Sequence, residues 1–318
     1  MHPTLLELDL PLVGHVEIPA YLTMVLAGFL VATAGARRAA ARAGVPPDRV
    51  VDLAILTLVL GVLGARLLAV ATDGRLADFV HLCTDPPAVA ADDALVRICQ
   101  RDEQCGWDYR CNLDARDAVL AGERTTMCHP PRDCLAALKF WHGGLTFYGA
   151  LILAVPGALW YCRRRRLDFL QIADLAAPFL LVGQAIGRIG CFLDGCCYGA
   201  ATGGPLGVVM PGRGPVHPTQ LYESAACLVL GAALWLAARR RAGARGARGR
   251  GAIFGWALVL YGAARALIEL VRADPRGAVG PLSTSQILAI PAVVIGALLI
   301  ARARRSGGAA AGRLPSSS

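Results

Sequence analysis

The stretch Gly187-Arg188-Ile189-Gly190-Cys191-Phe192-Leu193-Asp194-Gly195-Cys196-Cys197-Tyr198-Gly199 decides how this chain is read. It closes a long apolar run that begins near Phe169, so Arg188 stands where a helix leaves the hydrocarbon of a membrane. Its four glycines permit tight backbone turns and close approach to a ligand. An arginine beside such glycines offers a planar fork that matches a phosphate. The stretch therefore reads as the floor of a site for an anionic head group at a membrane surface.

The rest of the chain agrees with a membrane setting. Of 318 residues, 55% are hydrophobic and only 17% are charged, too apolar for a disordered chain and for most soluble enzymes. The net charge of +9 is carried by short arginine clusters between apolar runs. Such clusters are what the positive-inside rule produces, and no nucleic-acid motif accompanies them, so nucleic acid is not expected as a partner. Residues Met1 to Ile18 carry Glu7, Asp9 and Glu17 and no basic n-region. The first apolar run is thus expected to stay as a span rather than be cleaved.

Apolar stretches of near-spanning length fall at about residues 20–36, 50–71, 144–162, 169–187, 218–238, 251–271 and 285–301. Arg37, Arg38, Arg42 and Arg49 follow the first; Arg163 to Arg166 follow the third. Six arginines from Arg239 to Arg250 follow the fifth, and Arg302, Arg304 and Arg305 follow the seventh. All four clusters share one side of an alternating chain, and that side is cytoplasmic. The expected fold is an all-α integral membrane protein, a single domain over residues 1–318. It has seven transmembrane helices, the amino terminus outside and the carboxyl terminus in the cytoplasm. Residues 188–217 then form an extracytoplasmic site segment. Residues 306–318, rich in Gly, Ala and Ser, are expected to be a disordered tail.

Residues 72–141 make an outside connection far longer than usual. It holds Cys83, Cys99, Cys105, Cys111, Cys128 and Cys134, an even number on an oxidising side. It reads as a Cys-rich extracytoplasmic, periplasmic insert stapled by disulfides, with the pairing open. A zinc site is the alternative, disfavoured by the lack of a close CxxC pair.

Ionisable groups in apolar runs are costly and mark function by default. Arg66 lies near the outer end of the second run and Asp174 near the inner end of the fourth. Arg265, Glu269 and Arg272 are spaced i, i+4, i+7 on one helical face. They read either as a structural ion pair or, together with Arg188, as an anion pocket. His217-Pro218-Thr219-Gln220-Leu221-Tyr222-Glu223 opens the fifth run with proline in a first helical turn. His217 and Gln220 are either site residues or merely interfacial. Gly143 and Gly144 open the third run and suit either head-group contact or close helix packing.

Cys191, Cys196 and Cys197 admit several readings. They are a disulfide bracing a turn, buried thiols used as small apolar residues, a thiol-exchange pair, or metal ligands joined by His217. CxxxxCC is not a usual zinc spacing. Cys162 and Cys227 read as packing residues.

Taken together, the pieces resemble the bacterial prolipoprotein diacylglyceryl transferase family. The resemblance runs from Tyr21 to Arg272, leaving out the cysteine-rich insert. It rests on Tyr21 before Gly28-Phe29, Gly64-x-Arg66, Gly143-Gly144-Leu145-Thr146-Phe147 and Asp174. It continues with Gly187-Arg188-x-Gly190, Gly199, the run from His217 to Glu223, and Tyr261-Gly262-x-x-Arg265-x-x-x-Glu269-x-x-Arg272. The resemblance implies a multi-pass enzyme of the bacterial cytoplasmic (inner) membrane. Such an enzyme moves diacylglyceryl from phosphatidylglycerol to the lipobox cysteine thiol of a preprolipoprotein, leaving a thioether and releasing glycerol phosphate. It implies catalytic roles for Arg188, Arg265, Tyr148 and Tyr21. Substrate contacts fall to Arg188, Gly143, Gly144, Gly199, His217, Gln220, Glu269 and Arg66. No metal, nucleotide or other cofactor is required by that chemistry.

Three positions depart from the family pattern. Tyr148 stands where histidine is usual, Cys191 where asparagine is usual, and Cys196 where glutamate is usual. A tyrosine with pKa near ~10 is a poor base at neutral pH, and His142 and His217 are the candidate substitutes. The departures leave two other readings: a phospholipid- or lipopeptide-binding protein without chemistry, and a membrane thiol oxidoreductase using Cys196 and Cys197.

Overall fold

The computed structural model describes residues 4–10, 14–72, 76–84, 110–111, 128–129, 132–135, 146–210, 214–241, 249–272, 278–279 and 282–311. The chain opens on a strand pair, β1 (Thr4–Leu10) and β2 (Gly14–Pro19), followed by α1 (Ala20–Arg42), α2 (Pro47–Thr72) and α3 (Leu76–Thr84). Next come β3 (Arg110–Cys111), β4 (Cys128–His129), α4 (Phe147–Arg164) and α5 (Phe169–Asp194). The remainder is β5 (Val208–Val209), β6 (Pro215–Val216), α6 (Thr219–Arg241), α7 (Ala252–Glu269), β7 (Ala278–Val279), β8 (Leu282–Ser283) and α8 (Thr284–Ala311). Each successive pair of strands forms its own two-stranded antiparallel sheet.

The protein is mostly helical, as expected, and is a multi-pass membrane protein. Among the described residues, five helices, α1, α2, α5, α6 and α7, are long and apolar enough to cross a bilayer by length and composition. The helices α4 and α8 fall on the two other apolar stretches. The short strands were not expected. The first pair has a legible cause in the alternation Leu6-Glu7-Leu8-Asp9-Leu10, a period of two just before the first apolar run. The final helix continues to Ala311, into the stretch expected to be a disordered tail from Ser306. Three alanines, the best helix formers, close that extension after Ser306-Gly307-Gly308.

Two compact units divide the chain: residues 1–52 with 162–318, and residues 53–161. In the first, α1 packs along α5, α5 against α6 and α7, and α7 against α8. Small residues set these spacings, as expected where lipid supplies no hydrophobic drive between helices. A Cβ added at Gly28 of α1 would sit 2.5 Å from the carbonyl oxygen of Gly183 on α5. The core seam consists of Ala177, Leu181, Ala185, Cys227, Leu234, Ile253 and Ala257.

Two aspartates fix the ends of helices in this unit. Asp168 caps α5 by accepting from the Gln171 N–H at 3.0 Å and pairs with Arg250 at 2.7 Å. Burial alone would raise the Asp168 carboxyl, but these bonds outweigh it and hold it below the ordinary carboxylate range. Asp174 accepts from the backbone N–H groups of Gly251 at 2.7 Å and Phe254 at 2.8 Å. It therefore caps the start of α7, a structural answer for a charge the sequence marks as functional.

In the second unit, α2 and α4 meet at Gly64 and Gly149, where a side chain on either would run into the other's backbone oxygen. Thr146 donates its N–H and its hydroxyl to the Ala65 carbonyl, both at 3.1 Å. Arg66 lies over the Phe79 ring, 5.2 Å from its centre. Cys83 and Cys134 form a disulfide, and the Arg132 Nε donates to the Cys83 carbonyl. The register sets Cys111 opposite Cys128. Cys99 and Cys105, with most of the expected insert, lie outside the described residues.

Candidate active site

Three helices of the first unit converge on one carboxylate. Glu223 lies near the start of α6 and its side chain is 2% exposed. Arg188 of α5 places Nε 3.0 Å from Glu223 Oε1, and Arg265 of α7 places Nε 3.8 Å from Oε2. Tyr261, one turn before Arg265, donates its hydroxyl to Oε1 at 2.8 Å. Gln184 of α5 donates to Oε1 at 3.3 Å and to the Tyr261 oxygen at 3.4 Å. Arg265 Nη1 in turn donates to Glu269 Oε2 at 2.5 Å.

The two expected arginines thus meet, but over a protein carboxylate. Their charges are balanced by Glu223 and Glu269, which makes four ionised groups tolerable in a buried place. Arg265 and Glu269 form the ion pair of the first reading, and Arg188 joins the same cluster through Glu223. Arg272 is not on that face: α7 ends at Glu269, and Arg272 instead forms an antiparallel bridge with Gly199. Glu223, Tyr261 and Gln184 were missing from the expected site. The rule that flagged Arg265, an ionisable group in an apolar helix, applies equally to Glu223.

The floor of the site is built differently from its expectation. The helix α5 runs through Gly187, Arg188 and Gly190 to Asp194, so those glycines make no turn. Gly190 instead lets α1 approach: a Cβ there would sit 2.9 Å from Met24 Cβ and 3.3 Å from the Tyr21 backbone. Tyr21 lies near Cys191, Cys196 and Arg188. The turn is made at Gly195, with φ of 76°. There the Cys196 N–H bonds the Cys191 carbonyl at 3.1 Å and the Gly195 N–H bonds the Phe192 carbonyl at 3.2 Å, the Schellman pattern.

The start of α6 clamps this turn. Gln220 Nε2 donates to the Cys196 carbonyl at 2.5 Å and Thr219 Oγ1 to the Cys197 carbonyl at 2.7 Å. Gln220, buried and so bonded, acts on the loop. Gly199 donates its N–H to the His217 carbonyl, and a Cβ on it would lie 2.6 Å from the Val271 oxygen. Its role is backbone crowding. His217 Nδ1 is 3.2 Å from the Tyr222 hydroxyl.

No disulfide braces the turn: Cys191, Cys196 and Cys197 are not bridged, and their sulfurs lie within 4.8 Å of one another. Cys191 Sγ is 3.9 Å from Arg188 Nη1. Cys162 and Cys227 are free and buried, as packing residues should be. Tyr148, half-buried in the first turn of α4, and Arg66 belong to the second unit. His142, Gly143 and Gly144 lie outside the described residues.

Chemically, the arrangement joins two forked cations, two carboxylates and a phenol hydroxyl on three packed helices. A guanidinium has five N–H donors in a fixed fork, enough to serve a carboxylate and a phosphate together.

Comparison with known proteins gives a consistent result. The family model described as prolipoprotein diacylglyceryl transferase matches residues 10–86 and 120–302. The phosphatidylglycerol–prolipoprotein diacylglyceryl transferase of Geobacter sulfurreducens is 30% identical over 301 residues, 91% of this chain and 93% of that one. Proteins of the same name from Clostridium tetani and Nitratidesulfovibrio vulgaris are 37% identical over 165 residues and 40% over 177. Those two matches cover 50% and 53% of this chain, and each spans 64% of the relative's own length.

Proposed function

This chain belongs to the prolipoprotein diacylglyceryl transferase family, and from that premise we propose that it transfers diacylglyceryl from phosphatidylglycerol to the lipobox cysteine of a preprolipoprotein. A thioether forms and glycerol phosphate leaves. The observation that carries the reading is the convergence of Arg188 and Arg265 on Glu223. In the reaction a carbon–oxygen bond to phosphate breaks, and charge grows on the departing phosphate. Forked cations held in place beforehand stabilise that charge without reorganising during the step. Glu223 aims both forks, while Gln184 and Tyr261 hold Glu223. Tyr21 borders the same floor, and His217 stands beside it. Tyr148, Arg66, Gly143 and Gly144 are the candidates from elsewhere in the chain.

In this reading α4 and α8 also cross the bilayer, giving seven spans in the bacterial inner membrane. The arginine clusters face the cytoplasm, and the loop after α5 and the cysteine-rich insert face outward.

The test uses purified full-length protein in phosphatidylglycerol liposomes with a lipobox peptide, read by the peptide's gain in mass. Wild type adds one diacylglyceryl group to the cysteine; Arg188→Ala and Arg265→Ala add none. Full turnover by either alanine variant refutes the clamp. A wild type that binds phosphatidylglycerol but never forms product refutes the transferase reading.

A further inference from the structure

The clamp makes no use of the three thiols beside it. Resting on the transferase reading, we propose that Cys191, Cys196 and Cys197 hold one zinc ion whose fourth position takes the acceptor cysteine as a thiolate.

The sulfurs are brought together by two separate devices. The Schellman turn folds the residue after Gly195 back onto the last helical turn, which sets Cys196 against Cys191 despite their separation in sequence. Cys197 is added by a backbone φ of 66°, a left-handed conformation costly for a residue with a Cβ. The cap does not require that strain. It is maintained by Thr219 and Gln220, which hold the carbonyls of Cys197 and Cys196. With zinc–sulfur bonds of about 2.3 Å, tetrahedral geometry sets sulfurs about 3.8 Å apart. Sulfurs already within 4.8 Å of one another need only a small side-chain adjustment.

The ligand count indicates the kind of site. Among the described residues the group has three members, Cys191, Cys196 and Cys197, and no fourth His, Cys, Asp or Glu joins them. Three protein ligands with an open place mark a reactive zinc rather than a structural one. Three thiolates around a divalent ion leave one negative charge, and a fourth thiolate leaves two. Arg188 supplies compensation: its Nη1 is 3.9 Å from Cys191 Sγ.

The same arginine therefore borders both the thiol site and the phosphate clamp. An acceptor thiol entering the open position loses its proton, because a coordinating thiol is deprotonated outright. Its sulfur then forms a bond to the glyceryl carbon that carries the phosphate oxygen. The carbon–oxygen bond breaks with its electron pair going to that oxygen, and glycerol phosphate departs. The proton released by the thiol equals the one taken up by the departing phosphate or by water, and nothing is oxidised or reduced.

The full-length protein, purified reduced in detergent, is stripped with a chelator and reloaded with zinc or with cobalt(II) as a spectroscopic probe. Expected are one zinc per chain that C191S, C196S, C197S and their triple variant lose, and that C162S and C227S keep. Cobalt should show thiolate charge-transfer bands, and a lipobox peptide should change its ligand-field spectrum while a serine-substituted peptide does not. If a cysteine variant is unstable, the wild-type cobalt spectrum with the two peptides decides the matter alone. No metal bound, or a spectrum indifferent to the peptide thiol, overturns the inference. Transfer that persists undiminished after stripping also overturns it and leaves the proposed function standing. Absence of transfer with zinc bound sinks the transferase reading instead, while the cobalt spectrum still judges the thiol site.

Discussion

Replacing Glu223 by glutamine tests the heart of the site. The substitution keeps an oxygen for the Tyr261 hydroxyl and removes only the charge that faces Arg188 at 3.0 Å and Arg265 at 3.8 Å. At an effective dielectric near 20, those separations correspond to about 5.5 and about 4.4 kcal/mol of attraction before desolvation is counted. Desolvation cancels part of this, but the two guanidiniums, 15% and 9% exposed, stay buried when their partner goes. Breaking a buried pair from one side typically costs about 3–5 kcal/mol. At ~2–4 °C per kcal/mol, the lower figure lowers the unfolding midpoint by ~6–12 °C. Misaimed forks should also reduce transfer by ~100-fold, equivalent to ~2.7 kcal/mol in the transition state. Glu223→Asp keeps the charge at shorter reach and should recover part of both losses. The assays are fluorescence-monitored thermal unfolding in detergent and peptide mass in phosphatidylglycerol liposomes. A glutamine variant with wild-type midpoint and wild-type turnover would refute the central role given to this carboxylate.

Asp174→Ala removes the acceptor for two backbone N–H groups at the start of α7 and should cost about 1–3 kcal/mol, seen as a lower midpoint. Turnover measured well below that midpoint should remain close to wild type. Gly190→Ala forces α1 from α5 at Met24 and Tyr21 and should destabilise by about 1–3 kcal/mol of overpacking, checked by the same melt. The Asp168 carboxyl, lowered in the folded protein, contributes stability that is fully present above its unfolded pKa of ~3.9. That contribution is lost as pH falls from there through the lower folded value. Both partners are more than a third exposed, so the Arg250 pair gives under about 1 kcal/mol. Asp168→Asn should flatten stability across that acid window, and added salt should shrink the difference.

Much of the helical plan was readable because a bilayer imposes length and apolarity directly on sequence. The helices start close to where the apolar runs start, and they end later than expected where arginine or alanine extends them. The end of α5 was misjudged because glycine is ambiguous: Gly187 and Gly190 serve helix approach, and only Gly195 has the left-handed turn. Arg188 and Arg265 were legible as charges out of place. Glu223 stood in a quoted run yet was passed over, since its partners come from α5 and α7, distant in sequence. The gathering of Cys191, Cys196 and Cys197 was not legible either. CxxxxCC resembles no metal motif until a reversal of the backbone brings its ends together.

The carboxylates beside Arg188 and Arg265 have a kinetic consequence. A bare pair of guanidiniums in so dry a place would grip any phosphate tightly and surrender it slowly. With Glu223 and Glu269 already in station, a lipid arriving in the proposed reaction would share its hosts, and a departing glycerol phosphate would leave behind cations that are still accompanied. In that reaction turnover would gain at exit what affinity forgoes at entry.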